Sequence, residues 1–192
     1  DFLGLKTLDI ITEALQMIQK RTGKAIDVLK LDTADQKIYK DIFQSGNTKA
    51  VFQFESDGMR SMLKRFRPTE FSDLVLLNAA YRPGPIQYLD DIIEVKNGRK
   101  EITYLTPELE PILKDTYGAM IYQEQVMQVC QSLAGYSFGG ADLVRRAMSK
   151  KKKEKLEHER KAFIYGDPDR NIKGCVNNGI SESAANKIFD QM

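Results

Sequence analysis

Tyr122-Gln123-Glu124-Gln125-Val126-Met127-Gln128-Val129-Cys130-Gln131-Ser132-Leu133-Ala134-Gly135 is the stretch whose reading decides the fold class. Val126, Val129, Cys130 and Leu133 recur at intervals of three and four, which places them on one face of a helix, and Gly135 is its stop. The same spacing continues on either side. Leu8, Ile11, Leu15 and Ile18 repeat before Gly23. Asp32 is a candidate cap for a helix over Thr33 to Phe43, with Gly46 beyond it. Ser56 is positioned to cap a helix carrying Met59, Met62, Leu63 and Phe66, which stops before Pro68. A helix over Glu70 to Tyr81 is expected to turn Phe71, Leu74, Val75 and Leu77 inward. Arg82-Pro83-Gly84-Pro85 must break it, because proline lacks the N–H donor and glycine is free to turn. Helices follow over Gln87 to Lys96, Pro107 to Lys114, Ala141 to Met148 and Ser181 to Met192, and the lysine run is expected to prolong the helix that precedes it. Only Ala50 to Phe54 reads as a short strand. The expected fold is mainly α, a multi-helix domain with at most a few short strands, in one body without a clean internal boundary.

A hydrophobic fraction of 42%, a charged fraction of 29%, nine Phe and eight Tyr in 192 residues fit a globular domain with a real core. Net charge is only +2, so its distribution is what informs. Lys150, Lys151, Lys152 and Lys153 run together with Lys155, Arg160 and Lys161 after them, and Arg60, Lys64, Arg65 and Arg67 form a second basic cluster. Such a stripe attracts polyanions even on a near-neutral protein. Cys130 and Cys175 lack metal-site spacing, and Cys130 reads as a buried thiol. Two cysteines and the lack of a signal peptide fit a reducing cytoplasm. No apolar run is long enough to span a bilayer. The first residue is Asp rather than Met and the sequence opens inside a hydrophobic stretch, so both ends read as cut from a longer chain.

The common catalytic and nucleotide-binding signatures are missing. There is no Gly-x-x-x-x-Gly-Lys-Ser/Thr loop and no Gly-x-Gly-x-x-Gly. His158, the one histidine, lies in a charged run and reads as a surface residue. Arg145-Arg146 follows Gly139-Gly140, and Arg146, Lys150 and Lys153 share one helical face at i, i+4 and i+7. Arginine suits phosphate because its planar fork makes two parallel bonds. The same residues also fit a solvated basic face in which Asp142 pairs with Arg146. Arg82 is held in a stiff turn that either aims it or leaves it on a rim. Tyr122-Gln123-Glu124-Gln125 offers three adjacent polar side chains that fit base or sugar contacts, and equally the wet side of an amphipathic helix. Asp1 alone reads as an exposed terminal carboxylate.

Six segments in collinear order carry a resemblance: Asp1-Phe2-Leu3-Gly4-Leu5, Val51-Phe52-Gln53-Phe54-Glu55-Ser56, Tyr81-Arg82-Pro83-Gly84-Pro85, Thr116-Tyr117-Gly118, Tyr122-Gln123-Glu124-Gln125-Val126-Met127, and Leu143-Val144-Arg145-Arg146-Ala147-Met148 with the lysines after it. Taken together the chain resembles the alpha subunit of bacterial DNA polymerase III, the C-family replicative polymerase, over its fingers region. The resemblance implies that residues 1–6 end the palm domain and that 7–192 are fingers, incomplete at the C-terminus. It implies template-directed DNA synthesis by two-metal nucleotidyl transfer in the intact parent, a cytoplasmic DNA-directed DNA polymerase that uses Mg2+. Asp1 becomes the catalytic, metal-binding aspartate of the palm. Arg145 and Arg146 become contacts to the incoming deoxynucleoside triphosphate, with Arg82 and Lys150 as further candidates.

The implied partners are primer-template DNA and deoxynucleoside triphosphates, with the sliding clamp and proofreading subunit reached through other regions and no membrane. Departures from the family's pattern are a missing upstream aspartate pair, an end before the later Phe-Asn-Lys-Ser-His stretch, and Ser149 where glycine is common. The fragment by itself is expected to be inactive. The competing reading is a non-catalytic helical nucleic-acid-binding module.

Overall fold

Local capping sets where the helices begin. In the computed structural model, which describes residues 4–149 and 153–192, the element sequence is helical throughout, and among the described residues no sheet forms. Asp1, Lys150, Lys151 and Lys152 lie outside the described residues. The chain divides into two units, 1–75 and 76–192, with the division falling inside a helix. A single body was the expectation; helical periodicity runs unbroken through that point and carries no sign of a change in packing.

In the first unit, α1 (Lys6–Thr22) ends on Gly23 at φ +71°, whose N–H reaches Gln19 O at 2.8 Å. The expected stripe does form a helix, yet α1 buries none of its residues, and Leu8, Ile11 and Ile18 remain exposed. α2 (Gln36–Ile38) is capped by Asp35, whose Oδ1 accepts the Lys37 N–H at 2.9 Å. Asp32, the expected cap, instead closes a turn by accepting from Ala34 N–H at 2.8 Å. Either aspartate satisfies the same local chemistry, so sequence could not choose between them. α2 runs directly into a π-helical turn, Tyr39–Gln44.

Ala50 to Phe54 is not a strand. It is a series of turns in which Val51 N–H donates to Thr48 O at 3.0 Å and Phe54 N–H to Val51 O at 2.9 Å, with Gln53 at φ +67°. Among the described residues no neighbouring strand pairs with it, and an apolar run cannot hold a strand alone. Phe54 instead meets Phe43 edge-on, with ring centroids 5.7 Å apart.

α3 (Asp57–Phe66) starts as expected, with Ser56 Oγ accepting from Met59 N–H at 3.3 Å. Met59, Leu63 and Phe66, at intervals of four and three, are buried. Gln44 Nε2 donates to Pro68 O at 2.8 Å and Gln36 Nε2 to Thr69 O at 2.8 Å, which ties the α2 segment to the loop after α3.

α4 (Phe71–Ala80) opens on Asp73, whose buried carboxylate accepts from Thr69 N–H at 2.7 Å and Glu70 N–H at 3.3 Å. Leu74, Leu76, Leu77 and Ala80 are buried. Phe71 and Val75, expected to face inward, are exposed. With apolar residues on nearly every side of this helix, periodicity alone could not select the buried face.

The second unit holds the larger core. It contains α5 (Leu89–Lys96), α6 (Glu110–Leu113), α7 (Gln123–Ala134), α8 (Phe138–Ser149), α9 (Lys153–Tyr165) and α10 (Glu182–Gln191). Leu109, Leu113, Val129, Cys130, Leu133, Val144, Phe163, Ile188 and Phe189 form one buried cluster. Phe163 and Phe189 lie 5.6 Å apart between centroids. Truncating a fully buried phenylalanine such as Phe163 costs on the order of 3–5 kcal/mol. α10 starts on Ser181, whose Oγ accepts from Ala184 N–H at 3.2 Å.

After α9 the backbone folds back so tightly that only glycine fits. A Cβ on Gly174 would stand 2.3 Å from Gly166 N, and Gly166 itself is at φ +96°. Beside this turn, Glu159 is buried and accepts from Tyr136 OH at 3.2 Å and from Arg170 Nη1 at 2.8 Å. Burial pushes the Tyr136 phenol up, and Glu159 adds to the effect.

Candidate functional site

The start of α7 is set by one buried amide. Gln125 Oε1 accepts from both Ile121 and Tyr122 N–H at 2.9 Å, while its Nε2 donates to Thr116 Oγ1 at 2.7 Å and Ile112 O at 3.1 Å. Gln125 is therefore a structural hub that joins α6 to α7, and this fixes the direction in which Tyr122 and Gln123 leave the loop.

α8 is set by Ser137, whose Oγ accepts Gly140 N–H at 3.1 Å. Gly139 and Gly140 are part of the first helical turn. Gly140 packs closely there, since a Cβ would lie 3.3 Å from Tyr136 Cδ1. Val144 and Ala141 are buried in the core, which holds α8 in place and sends Asp142, Arg145 and Arg146 away from it.

These three side chains form one ionic cluster. Arg145 Nε and Nη2 lie 2.9 and 2.7 Å from Asp142 Oδ1. Arg146 Nε lies 2.7 Å from Asp142 Oδ2. Arg145 Nη1 also donates to Gln123 Oε1 on α7 at 2.7 Å. Hydrogen bonding from Arg145 holds the Asp142 carboxyl below the usual carboxylate range, against a desolvation that would raise it, and Arg146 assists. Two guanidiniums on one carboxylate leave one net positive charge.

Arg145 lines two neighbouring depressions. One, of about 270 Å³, is bounded by Pro85, Tyr122, Gln123, Val126, Met148 and Met192 among others. The other, of about 450 Å³, runs along Gln123, Met127, Gln131, Phe138 and Asp142. Burial is the main reason the Tyr122 phenol titrates higher than usual.

Of the remaining residues singled out by sequence, Arg82 is exposed on its turn, where Gly84 takes φ +103°; Pro85 from that turn lines the first depression while Arg82 does not. Asp1 and Lys150 lie outside the described residues, so the shared face expected of Arg146, Lys150 and Lys153 is described only at Arg146. His158 is exposed, as expected. Cys130 and Cys175 are both buried, and burial pushes each thiol up to about 12. Among the described residues no group of three or more His, Cys, Asp and Glu side chains fits a metal ion. Nor is any described helix long and apolar enough to cross a membrane.

The model of the bacterial DNA polymerase III alpha subunit finger domain matches residues 7–171. The chain belongs to this family. It is 43% identical over 190 residues to the DNA polymerase III subunit alpha of Halalkalibacterium halodurans, which covers 99% of this chain and 16% of that protein. It is 44% identical over 190 residues to the subunit alpha of Staphylococcus aureus, covering 99% of this chain and 17% of that protein. The finger-domain chain thus spans about a sixth of the length of these relatives. Within the finger domain, the Asp142 cluster lies in the matched region, and so do Arg82, Tyr122 and Gln123. The pairing of Arg145 with Gln123 joins residues 22 apart in sequence, and no local pattern signals it.

Proposed function

We propose that this chain is the part of a DNA polymerase III alpha subunit that grips the incoming deoxynucleoside triphosphate and its primer-template DNA. In the intact protein it serves template-directed DNA synthesis by two-metal nucleotidyl transfer. Arg145 and Arg146 contact the triphosphate, with Arg82 and Lys150 contributing. Residues 1–6 end the palm and the rest are fingers.

The observation that carries this reading is the Asp142 cluster. Two guanidiniums share one carboxylate; Arg145 lines a depression, and the Arg146 side chain beside it is 63% exposed. A triphosphate carries several negative charges, and fixed guanidiniums aimed at it align its phosphorus with an attacking oxygen without reorganising during the reaction. Arginine outperforms lysine here because its fork engages two phosphate oxygens at once. Template pairing supplies the sequence information, so no base-reading side chain is needed.

For Asp1 the proposal is a carboxylate ligand to Mg2+ in the intact protein. For the described residues the contribution proposed is anion binding. Clamp and proofreading contacts are assigned to other regions of the parent.

The test is the Arg145→Ala/Arg146→Ala double variant of the full-length subunit. The expected result is a nucleotide KM raised on the order of a hundredfold, with kcat also reduced, and primer-template affinity unchanged at fixed salt. If KM and kcat stay normal while DNA affinity falls, the chain is a nucleic-acid-binding module instead.

A further inference from the structure

The two guanidiniums of the cluster are held differently, and the difference divides their work. Arg145 is 25% exposed and is gripped on two sides, by Asp142 Oδ1 through Nε and Nη2 and by Gln123 Oε1 through Nη1 at 2.7 Å. Arg146 is 63% exposed and meets Asp142 Oδ2 through Nε at 2.7 Å. A guanidinium held at Nε presents its two terminal nitrogens outward, and that end makes the paired bonds by which arginine takes a phosphate.

We infer that Asp142 is a positioning residue for polyphosphate binding: it fixes Arg146 with its terminal nitrogens turned to the anion, and together with Gln123 makes Arg145 a strut between α7 and α8. This rests on the triphosphate reading above. The physical gain is preorganisation. A free arginine side chain samples many rotamers and must lose that freedom when it grips an anion; one already held loses less. The opposing effect is direct: a carboxylate near the phosphates repels them. The two effects predict opposite signs when Asp142 is removed. The geometry favours preorganisation, because both carboxylate oxygens are already spent on guanidinium donors.

The experiment measures nucleotide KM, kcat and primer-template affinity for four variants of the full-length subunit. Arg146→Ala is expected to raise nucleotide KM roughly tenfold or more, and Asp142→Ala roughly three- to tenfold, both at unchanged primer-template affinity. Asp142→Glu is expected to recover most of the loss, since a glutamate still reaches an arginine four residues on. Asp142→Asn keeps one acceptor oxygen without the charge, and stands in for Asp142→Ala if that variant does not fold; its KM is expected between those of the parent and Arg146→Ala. If Arg146→Ala raises KM but Asp142→Ala and Asp142→Asn leave it unchanged or lower it, the carboxylate only dilutes the positive charge and the positioning role is overturned. If Arg146→Ala itself leaves KM unchanged, Arg146 does not grip the anion and this inference is overturned, while the Arg145→Ala/Arg146→Ala double variant decides the triphosphate reading separately.

Discussion

Arg145 Nη1 stands 2.7 Å from Gln123 Oε1, so a guanidinium on α8 is tied to the first turn of α7. Gln123 in turn is placed by Gln125, whose amide closes the loop before α7. The position of the ionic cluster therefore depends on a buried amide two residues away from its partner, and the predictions below follow that chain of dependence from site to scaffold.

The Asp142 carboxyl is expected to titrate below the ordinary carboxylate value of about 3.9, because Arg145 and Arg146 stabilise its charged form. A depressed native value means that the pairing contributes stability above the unfolded-state value and loses it as pH falls through the native one. Carbon-detected NMR titration of this carboxyl checks the midpoint. Arg145→Ala should move it upward; a midpoint that does not respond would mean the ion pair does not form in solution.

Gln125→Leu should be costly although the volume is nearly kept. It strips the acceptor from the Ile121 and Tyr122 N–H groups, while the buried Thr116 hydroxyl keeps its bonds to Leu113 O and Ala119 O. Leaving buried polar groups unsatisfied costs on the order of 2–3 kcal/mol or more, so chemical denaturation of the variant should show a clearly lower midpoint at unchanged slope.

Gly174→Ala should be worse than a usual surface change. The added Cβ would meet Gly166 N at 2.3 Å and Tyr165 C at 2.6 Å, both backbone atoms that cannot swing aside, and φ is +85°. A loss on the order of 3 kcal/mol is expected, read as a drop in Tm. The control is Gly179→Ala, at φ +88° in open space, which carries the backbone strain without the clash.

Cys130 and Cys175 are buried with thiols pushed up to about 12. At pH 8 they should be silent to a thiol reagent in the native protein and should both react once it is denatured. The sign of the linkage is also fixed: a raised native value gives stability that is intact below the unfolded-state value, about 8.5, and is lost as pH climbs toward 12. Fast native labelling at pH 8 would show that the core opens around α7.

What sequence made legible was local. Ser56 caps a helix, and Gly23 and Gly135 end two others, because each signal lies within one turn of its effect. The Asp142–Arg146 pair was visible for the same reason, being four residues apart on one helix. Less legible were the features decided by residues far along the chain. The outward turn of Phe71 and Val75 depends on what packs against α4, and the exposure of Leu8, Ile11 and Ile18 on what α1 meets. Gln125 was read as part of a polar edge, yet it is buried against α6. Gly166 and Gly174 gave no signal, because their approach arises only after the chain has turned back. At the cluster, the pairing of Asp142 with Arg146 was legible, and the nitrogen by which each guanidinium faces Asp142 was not, since that depends on how the side chains are placed.

The central claim concerns a polyphosphate gripped by the terminal nitrogens of Arg146. Single-turnover incorporation by the full-length subunit carrying Arg146→Lys tests it most directly, because lysine keeps the charge and loses the fork. The account predicts a nucleotide dissociation constant raised roughly tenfold with primer-template affinity unaltered. A nucleotide dissociation constant equal to that of the parent, accompanied by weaker DNA binding, would contradict it.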